Sequence, residues 1–342
     1  MEDVKTKVML KPQEYKSDQE IRWCPGCGDH AIFNSVIRAF SELGLPKEKI
    51  AVISGIGCSS RFPYYTEVYG FHTIHGRAGA IASGFKSANP EMSVWQITGD
   101  GDGLAIGGNH FIHEIRRNID LNIVLFNNRI YGLTKGQYSP TTPHGKVTKT
   151  SPYGTIEDPF IVGQLVIGSL GNFFARSIDA KVKETTNILV QAEHHKGASV
   201  VEILQNCVIY FDGAHQAITD KATEKDNQLW IEHGKPMIFG KENKKGIIMR
   251  EGRLEVAVIG ENGITEKDIL VHDAHTPDPY VHLQLVRMTL PEFPVVFGVI
   301  REVKMPTYER LLEQQIEEVK ALKPKMKTMQ DVLNSGNTWE TK

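Results

Sequence analysis

The sequence predicts an α/β fold built on a doubly wound, mostly parallel sheet, and three observations carry that expectation. Apolar runs of strand length recur at Ile50–Ser54, Val94–Thr98, Asn122–Phe126 and Ser199–Leu204. Each run ends in glycine or polar residues, and patterns of helical period separate them. After the middle of the chain the pattern changes to short strands at 237–239, 247–250 and 254–259, with a Glu251-Gly252 turn, which predicts a small C-terminal β-hairpin and helix appendage. The expected organisation is an arm over residues 1–20, a binding domain over 21–230 and the appendage over 231–342.

Bulk properties narrow the class. The chain has 342 residues, 40% of them hydrophobic and 23% charged, with a formal net charge of −2. That balance gives no reason to expect nucleic acid or an anionic membrane surface as a partner. No apolar run is long enough to span a bilayer, and the N-terminus is too polar for a signal peptide, so a cytoplasmic location is expected. The four cysteines are Cys24 and Cys27 as a CxxC, then Cys58 and Cys207. In a reducing compartment such a set suggests a metal site or a redox motif, and spacing alone leaves Zn²⁺ and a [4Fe–4S] cluster open.

Taken in order, the polar arm is followed by Pro25 and Gly26, a tight turn that brings the first two sulfurs together. Asp29 can cap a helix running to Leu43, which Gly44 and Pro46 end. Strand Ile50–Ser54 delivers Gly55 to Arg61 to its carboxyl end. His75 precedes a small-residue helix, Arg77 to Ala88. Then comes the central unit: strand Val94–Thr98, the turn Gly99-Asp100-Gly101-Asp102-Gly103, a helix carrying Leu104, Phe111, Ile112 and Ile115, and strand Asn122–Phe126 ending in Asn127 and Asn128. Residues 127–160 hold too many Gly, Pro and Thr for regular structure and read as a lid or binding loop. A helix from Asp158 to about Gly171, another over Ala180–Lys196, and strand Ser199–Leu204 lead to Cys207. Beyond the hairpin, His272, His275 and His282 match no familiar metal spacing. Pro306 opens an amphipathic helix with Leu311, Leu312, Val319 and Leu322 on one face, and lysines 320–327 form its solvated end.

The chemistry follows from the strand ends. Neighbouring parallel strands deliver their last residues to one rim, so Asp100 and Asn128 should lie side by side in the crevice where such sheets hold ligands. Their hard oxygens suit Mg²⁺, and the glycine-rich turn offers backbone N–H groups to a diphosphate. A glycine turn in some other nucleotide-binding sheet is the bland alternative. Cys58, Asp100, Asn128 and Cys207 all follow separate strands by a few residues, so all four should converge. Arg61 and Lys135 are either solvated loop cations or contacts for a substrate carboxylate.

GDG followed by NN at this spacing resembles the thiamine diphosphate motif. The resemblance implies Mg²⁺ held by Asp100, Asn128 and the backbone carbonyl of Ile130. WCPGCGDH, GIGCSSR, HGRA and YGLTKGQ together resemble the β subunits of 2-oxoacid:ferredoxin oxidoreductases, most like those acting on 2-oxoglutarate, over roughly residues 20–300. That likeness implies the thiamine diphosphate-binding fold and a [4Fe–4S] cluster on Cys24, Cys27, Cys58 and Cys207. It further implies cofactor contacts from Ile56, Gly57, Cys58, Ser59, His75, Gly101, Asp102, Gly132 and Leu133, and substrate contacts from Arg61 and Lys135. The implied reaction is oxidative decarboxylation of 2-oxoglutarate with coenzyme A to succinyl-CoA and CO₂, with electrons passed through the cluster to ferredoxin. Pyruvate and branched-chain 2-oxoacids remain open as substrates. The glutamate that activates the aminopyrimidine is expected from an α subunit, since no second domain of the required size is recognisable in the chain. A non-oxidative thiamine decarboxylase subunit and a zinc-stabilised scaffold are the competing readings.

Overall fold

The computed structural model describes residues 8–322 and 328–341. Among them eleven strands form two sheets: β1 (Ile50–Ser54), β2 (Tyr69–His72), β3 (Ser93–Gly99), β4 (Asn122–Asn127), β5 (Phe173–Ile178), β6 (Ser199–Leu204), β7 (Gln228–Ile231), β8 (Ile238–Phe239), β9 (Lys245–Arg250), β10 (Arg253–Val258) and β11 (Val295–Glu302). The larger sheet has the order β2-β1-β3-β4-β6-β5-β11-β7. Every pairing in it is parallel except β5 with β11.

Both faces of this sheet are covered, which is why its strands read as unbroken apolar runs. Successive side chains of one strand enter opposite cores. Ala51 and Ile53 of β1, with Ile123 and Leu125 of β4, join one cluster with Phe111, Ile115, Val166 and Leu285 from helices Gly108–Arg116, Val162–Gly168 and Tyr280–Arg287. Ile50, Val52, Val124 and Phe126 join the other, against Phe33, Val36, Phe40 and Leu189 from helices Asp29–Leu43 and Val182–His194. Trp95 and Phe40 meet edge-on with ring centroids 5.0 Å apart. The result is a doubly wound α/β sheet, as the sequence predicts.

Several elements differ from expectation. The helix expected from Asp158 begins at Val162 and ends at Gly168. Pro159 explains the late start, because the residue before a proline is pushed out of the helical region. Leu170 takes a left-handed φ of 65° just past the end. Strands β2, β5, β7 and β11 carry no expectation from the sequence. The stretch expected as an appendage, 231–342, is divided in space: β8, β9 and β10 form a separate antiparallel sheet, whereas β11 sits inside the main sheet between β5 and β7. Helix Tyr308–Leu322 forms, but its apolar stripe is largely solvent-exposed, with Leu311 at 52% and Leu322 at 84%. Lysines 323–327 of its expected solvated end fall outside the described residues. The arm, where described, lies on the body: Tyr15 is fully buried, and its hydroxyl donates to the Leu45 carbonyl at 2.6 Å.

Candidate active site

Strands β1, β3, β4 and β6 are consecutive neighbours and mutually parallel, so their carboxyl ends form one rim. Gly99 is in register with Phe126, which sets Asp100 beside Asn127 and one residue before Asn128. Asn127 is in register with Leu204, three residues before Cys207. The rim thus gathers the segments that carry Cys58, Asp100, Asn128 and Cys207.

Asp100 is 2% exposed, and its Oδ2 accepts from the Ser139 and Thr141 hydroxyls, both at 2.5 Å. Burial pushes its carboxyl up to about 6, against the lowering effect of those two hydroxyls. It makes no ion pair among the described residues. A buried carboxylate without a counterion is what a cation site looks like before the cation is added. Asn128 Oδ1 accepts the Ile130 N–H at 3.1 Å, an Asx turn that leaves a second lone pair. The donor set therefore fits the Mg²⁺ ion implied by the motif.

Asp102, expected as a cofactor contact, is also the hub of the rim. Its Oδ1 accepts from Ile56 N at 3.0 Å, Gly76 N at 2.7 Å and His75 Nδ1 at 2.8 Å, and its Oδ2 accepts from the Thr98 hydroxyl at 2.7 Å. Three loops, after β1, after β2 and after β3, are tied by one carboxylate. Gly57, at φ 140°, lies in the region that favours glycine. A Cβ on Gly101 would lie 2.3 Å from the Tyr131 ring, whose hydroxyl donates to the Gly101 carbonyl at 3.0 Å. Tyr131 in this way seats the long loop against the Gly99–Gly103 turn.

Gly132 stands between two of the sulfurs: an ideal Cβ there would be 3.6 Å from Cys58 Sγ and 3.5 Å from Cys207 Sγ. The Pro25-Gly26 turn closes with Cys27 N donating to the Cys24 carbonyl at 3.1 Å, Gly26 having φ 82°. Cys27 also accepts from Gln205 Nε2 at 3.2 Å, and Cys58 presents its carbonyl to Trp23 Nε1 at 2.6 Å. Burial pushes the Cys58 thiol up to about 12 and raises Cys27 as well, each with Asp29 as the next cause; Cys58 also feels Cys207 and Cys24, and Cys27 feels Cys207 and Cys58. Among the described residues no set of three or more His, Cys, Asp or Glu side chains is arranged for a single metal ion. Four thiolates gathered on one rim suit either Zn²⁺ or an iron–sulfur cluster.

Asp29 does not cap its helix as expected. Gly28 takes that position, and the Asp29 carboxyl turns toward Cys27. It is 1% exposed, has an unpartnered Oδ2, and is pushed up to about 7 by burial. Arg61 donates to the Arg22 carbonyl at 2.9 Å and lies near enough to lower Asp29 and Cys58. Lys135 and Leu133 are exposed on the loop after β4, Lys135 with φ 77°. A cleft of about 380 Å³ opens between that loop and helix Asp100–Leu104, lined by Leu104, Tyr131, Tyr138, Ser139 and Phe160 among others. Such a volume suits a small-molecule site. Sequence reading gave no individual role to Trp23, Ser139, Thr141 or Gln205, although Trp23 stands in WCPGCGDH and Ser139 and Thr141 stand in the hydroxyl-rich SPTT run, residues 139–142.

A family model described as the C-terminal thiamine pyrophosphate binding domain of thiamine pyrophosphate enzymes matches residues 55–203. The chain is 45% identical over 331 residues to the 2-oxoglutarate oxidoreductase subunit KorB of Mycobacterium tuberculosis, covering 96% of this chain and 88% of that relative. This chain belongs to the KorB family of 2-oxoacid:ferredoxin oxidoreductase β subunits. Within the family it is 38% identical over 258 residues to the 2-oxoglutarate synthase subunit KorB of Methanocaldococcus jannaschii, covering 74% of this chain and 91% of that one. The fold matches a structure of 2-oxoglutarate:ferredoxin oxidoreductase from Magnetococcus marinus with 2-oxoglutarate, coenzyme A and succinyl-CoA bound. The TM-score is 0.75 and the identity 32%, over 92% of this chain and 93% of that one. The family read from the motifs, and its thiamine-binding domain, are thereby confirmed. No helix among the described residues is long and apolar enough to cross a membrane.

Proposed function

We propose that this chain is the thiamine diphosphate-binding β subunit of a 2-oxoglutarate:ferredoxin oxidoreductase. With an α subunit it converts 2-oxoglutarate and coenzyme A to succinyl-CoA and CO₂ and passes electrons to ferredoxin. The observation that supports this reading best is the meeting, on one rim of four parallel strands, of a buried carboxylate lacking a counterion and a cysteine group. When bound, thiamine diphosphate supplies the carbanion chemistry of decarboxylation, and the cluster supplies a one-electron acceptor.

The chain's own residues bind and orient. Asp100, the Asn128 amide oxygen and the Ile130 carbonyl would hold Mg²⁺, and Cys24, Cys27, Cys58 and Cys207 would hold the [4Fe–4S] cluster. Gly132, flanked by two of those sulfurs and next to Tyr131, links the cysteines that would hold the cluster to the Gly101 turn that would meet the diphosphate. Ile56, Gly57, Ser59, Gly101 and Leu133 border that space. Arg61 and Lys135 carry the positive charge on which a dicarboxylate substrate depends for orientation. Relatives named as β subunits support an α partner, which in this reading contributes the activating glutamate.

Co-expression with the neighbouring α subunit tests the proposal. The purified complex should contain iron, acid-labile sulfide and thiamine diphosphate, and should reduce a viologen dye with 2-oxoglutarate plus coenzyme A in preference to pyruvate. Zinc in place of iron, or dye reduction indifferent to thiamine, would remove it.

A further inference from the structure

A second cavity, of about 440 Å³, sits at the amino ends of β3 and β4, the opposite edge of the sheet from the rim. β3 is seven residues long, so the cavity lies about 20 Å from the turn that carries Asp100. Its wall is drawn from residues 90–94, from Asp120 and Asn122, from Glu193 at the end of helix Val182–His194, and from residues 305–310.

Two buried oxygens on lining residues have no donor. Asn122, 6% exposed, gives its amide N–H to Glu193 Oε2 at 2.5 Å; this settles which end of the amide is oxygen and leaves Oδ1 unpartnered. Glu309, 4% exposed, accepts the Asp120 N–H on Oε1 at 3.1 Å, and its Oε2 is unpartnered. Neither Glu309 nor Glu193 makes an ion pair among the described residues, because Lys86 is committed to Asp120 and to the Met92 carbonyl, and Lys196 also turns to Asp120. Burial raises the Glu309 carboxyl above its ordinary range, and the charge of nearby Lys86 does not offset this.

Buried acceptors call for a donor or a cation. Among the described residues no three His, Cys, Asp or Glu side chains are arranged to hold a metal ion, which favours an N–H donor. An unpaired carboxylate calls for that donor to be positively charged. Beside these oxygens the wall is apolar, with Pro90, Met92, Val94, Met305 and Pro306. A compact cation with several N–H bonds and a short hydrocarbon tail answers both halves of the cavity.

We propose that this cavity binds a small primary alkylammonium ion, whose head donates to Glu309 Oε2 and Asn122 Oδ1 and whose carbon tail lies on Met92, Val94, Met305 and Pro306. Arg310 and Glu313 are exposed lining residues and so mark the outer end. A diamine would set its second ammonium by Glu313; an amino acid would set its carboxylate by Arg310. The site needs neither the cysteines nor the thiamine-binding turn, and every residue in it belongs to this chain.

Calorimetric titration of the αβ complex with n-butylamine, putrescine and γ-aminobutyrate tests the proposal, the last two separating the diamine from the amino acid. At least one should bind saturably with a Kd of about 1 mM or tighter. Glu309→Gln keeps the acceptor for Asp120 N but turns an amide N–H toward the ammonium, so affinity should fall at least about tenfold, the least expected for a lost charged hydrogen bond. Its melting temperature and its 2-oxoglutarate-dependent dye reduction should stay near native. Met305→Trp removes no acceptor but fills the tail region from a half-exposed position, and it should weaken the same ligand even if Glu309→Gln proves unstable. No saturable binding of any of the three amines below about 20 mM leaves the cavity to water and overturns the proposal. Unchanged affinity in a stable Glu309→Gln complex or in Met305→Trp, or competition by K⁺ or Mg²⁺ at concentrations below those of the amine, overturns it as well.

Discussion

The two ends of β3 and β4 are both polar and both buried, yet they are built on opposite principles. At the amino ends, a lysine and an aspartate balance each other within the chain. Lys86, 4% exposed, donates to Asp120 at 2.9 Å and to the Met92 carbonyl at 2.7 Å; Lys196 lies 3.8 Å from the same carboxylate. Burial alone would raise Asp120, but the two lysines bring it below the ordinary range. Glu193 takes the Ser93 hydroxyl and the Asn122 amide. At the carboxyl ends Asp100 has hydroxyls but no ion pair, and it titrates high. Arg129 is within electrostatic reach of it, yet donates to the Ala214 carbonyl. The Lys86–Asp120 pair carries its counterion within the chain, whereas Asp100 has none among the described residues.

That contrast breaks first at Asp100. Asp100→Asn keeps the shape and removes the charge, so Mg²⁺-dependent retention of thiamine diphosphate should fall by at least about 100-fold, in the range lost with a metal-site residue. Gel filtration of the loaded protein followed by thiochrome assay measures it, and full retention would deny Asp100 its role. Lys86→Met, at the other end, should do the reverse. It leaves Asp120 with only Lys196 and should cost about 3 kcal/mol of stability, the lower end for a broken buried pair. Cofactor retention at moderate temperature should be untouched. A Lys86→Met protein that melts normally but loses cofactor would erase the distinction between the two ends.

Glu114 sharpens the comparison because it is buried at 1% exposure and makes no ion pair among the described residues. Its Oε1 accepts from Gln96 at 3.1 Å, its Oε2 is unpartnered, and burial pushes it up to about 8 from an ordinary 4.5. The sign follows from linkage: folding takes up a proton between these values, so its contribution is fully present below 4.5 and is lost as pH rises through about 8. Glu114→Gln should therefore match the native protein near pH 4.5 and exceed it by on the order of 1–3 kcal/mol at pH 8. Thermal melts across that range read the divergence. A difference that does not grow with pH would show that Glu114 is ionised and satisfied in the fold.

What the sequence revealed divides along the same line. The rim was legible because each strand there is an apolar run ended by glycine or a hard donor, and parallel pairing carries those ends to one place. β5 was hidden because Arg176 and Ser177 interrupt its apolar run; Arg176 is tolerated only because Glu202 of neighbouring β6 meets it at 2.7 Å. β2 was hidden because all four of its residues are exposed at the sheet edge, so it has no inward face to pattern. β11 reads as apolar, but nothing in Val295–Glu302 tells which sheet it will enter or that it will run against β5. The part played by Asp102 depends on meeting residues 46 and 27 positions earlier, a relation that no spacing rule contains. Asp29, legible as a cap, was claimed by the cysteines instead.

The smallest effect concerns the hydroxyls around Asp100, which tie the long loop to the proposed Mg²⁺ ligand. Thr141 Oγ1 lies 2.5 Å from Asp100 Oδ2 and 2.9 Å from Asn127 Oδ1, and with a single proton it can donate to only one of them at a time. Asn127 in turn donates to Glu202, the partner of Arg176, so the carboxylate is linked through Thr141 to a buried ion pair two strands away. Thr141→Val keeps the volume and removes the donor, while Ser139 still holds Oδ2. The Mg²⁺ concentration needed for half-maximal cofactor binding should rise by only about tenfold, the low end for a residue that orients a ligand. Adding Ser139→Ala should move it further, because the oxygen then loses its second hydroxyl. Fluorescence titration with Mg²⁺ at saturating thiamine diphosphate reads both shifts. An unmoved midpoint in the double variant would mean that Asp100 is held by its backbone alone and that the loop closes without sensing the metal.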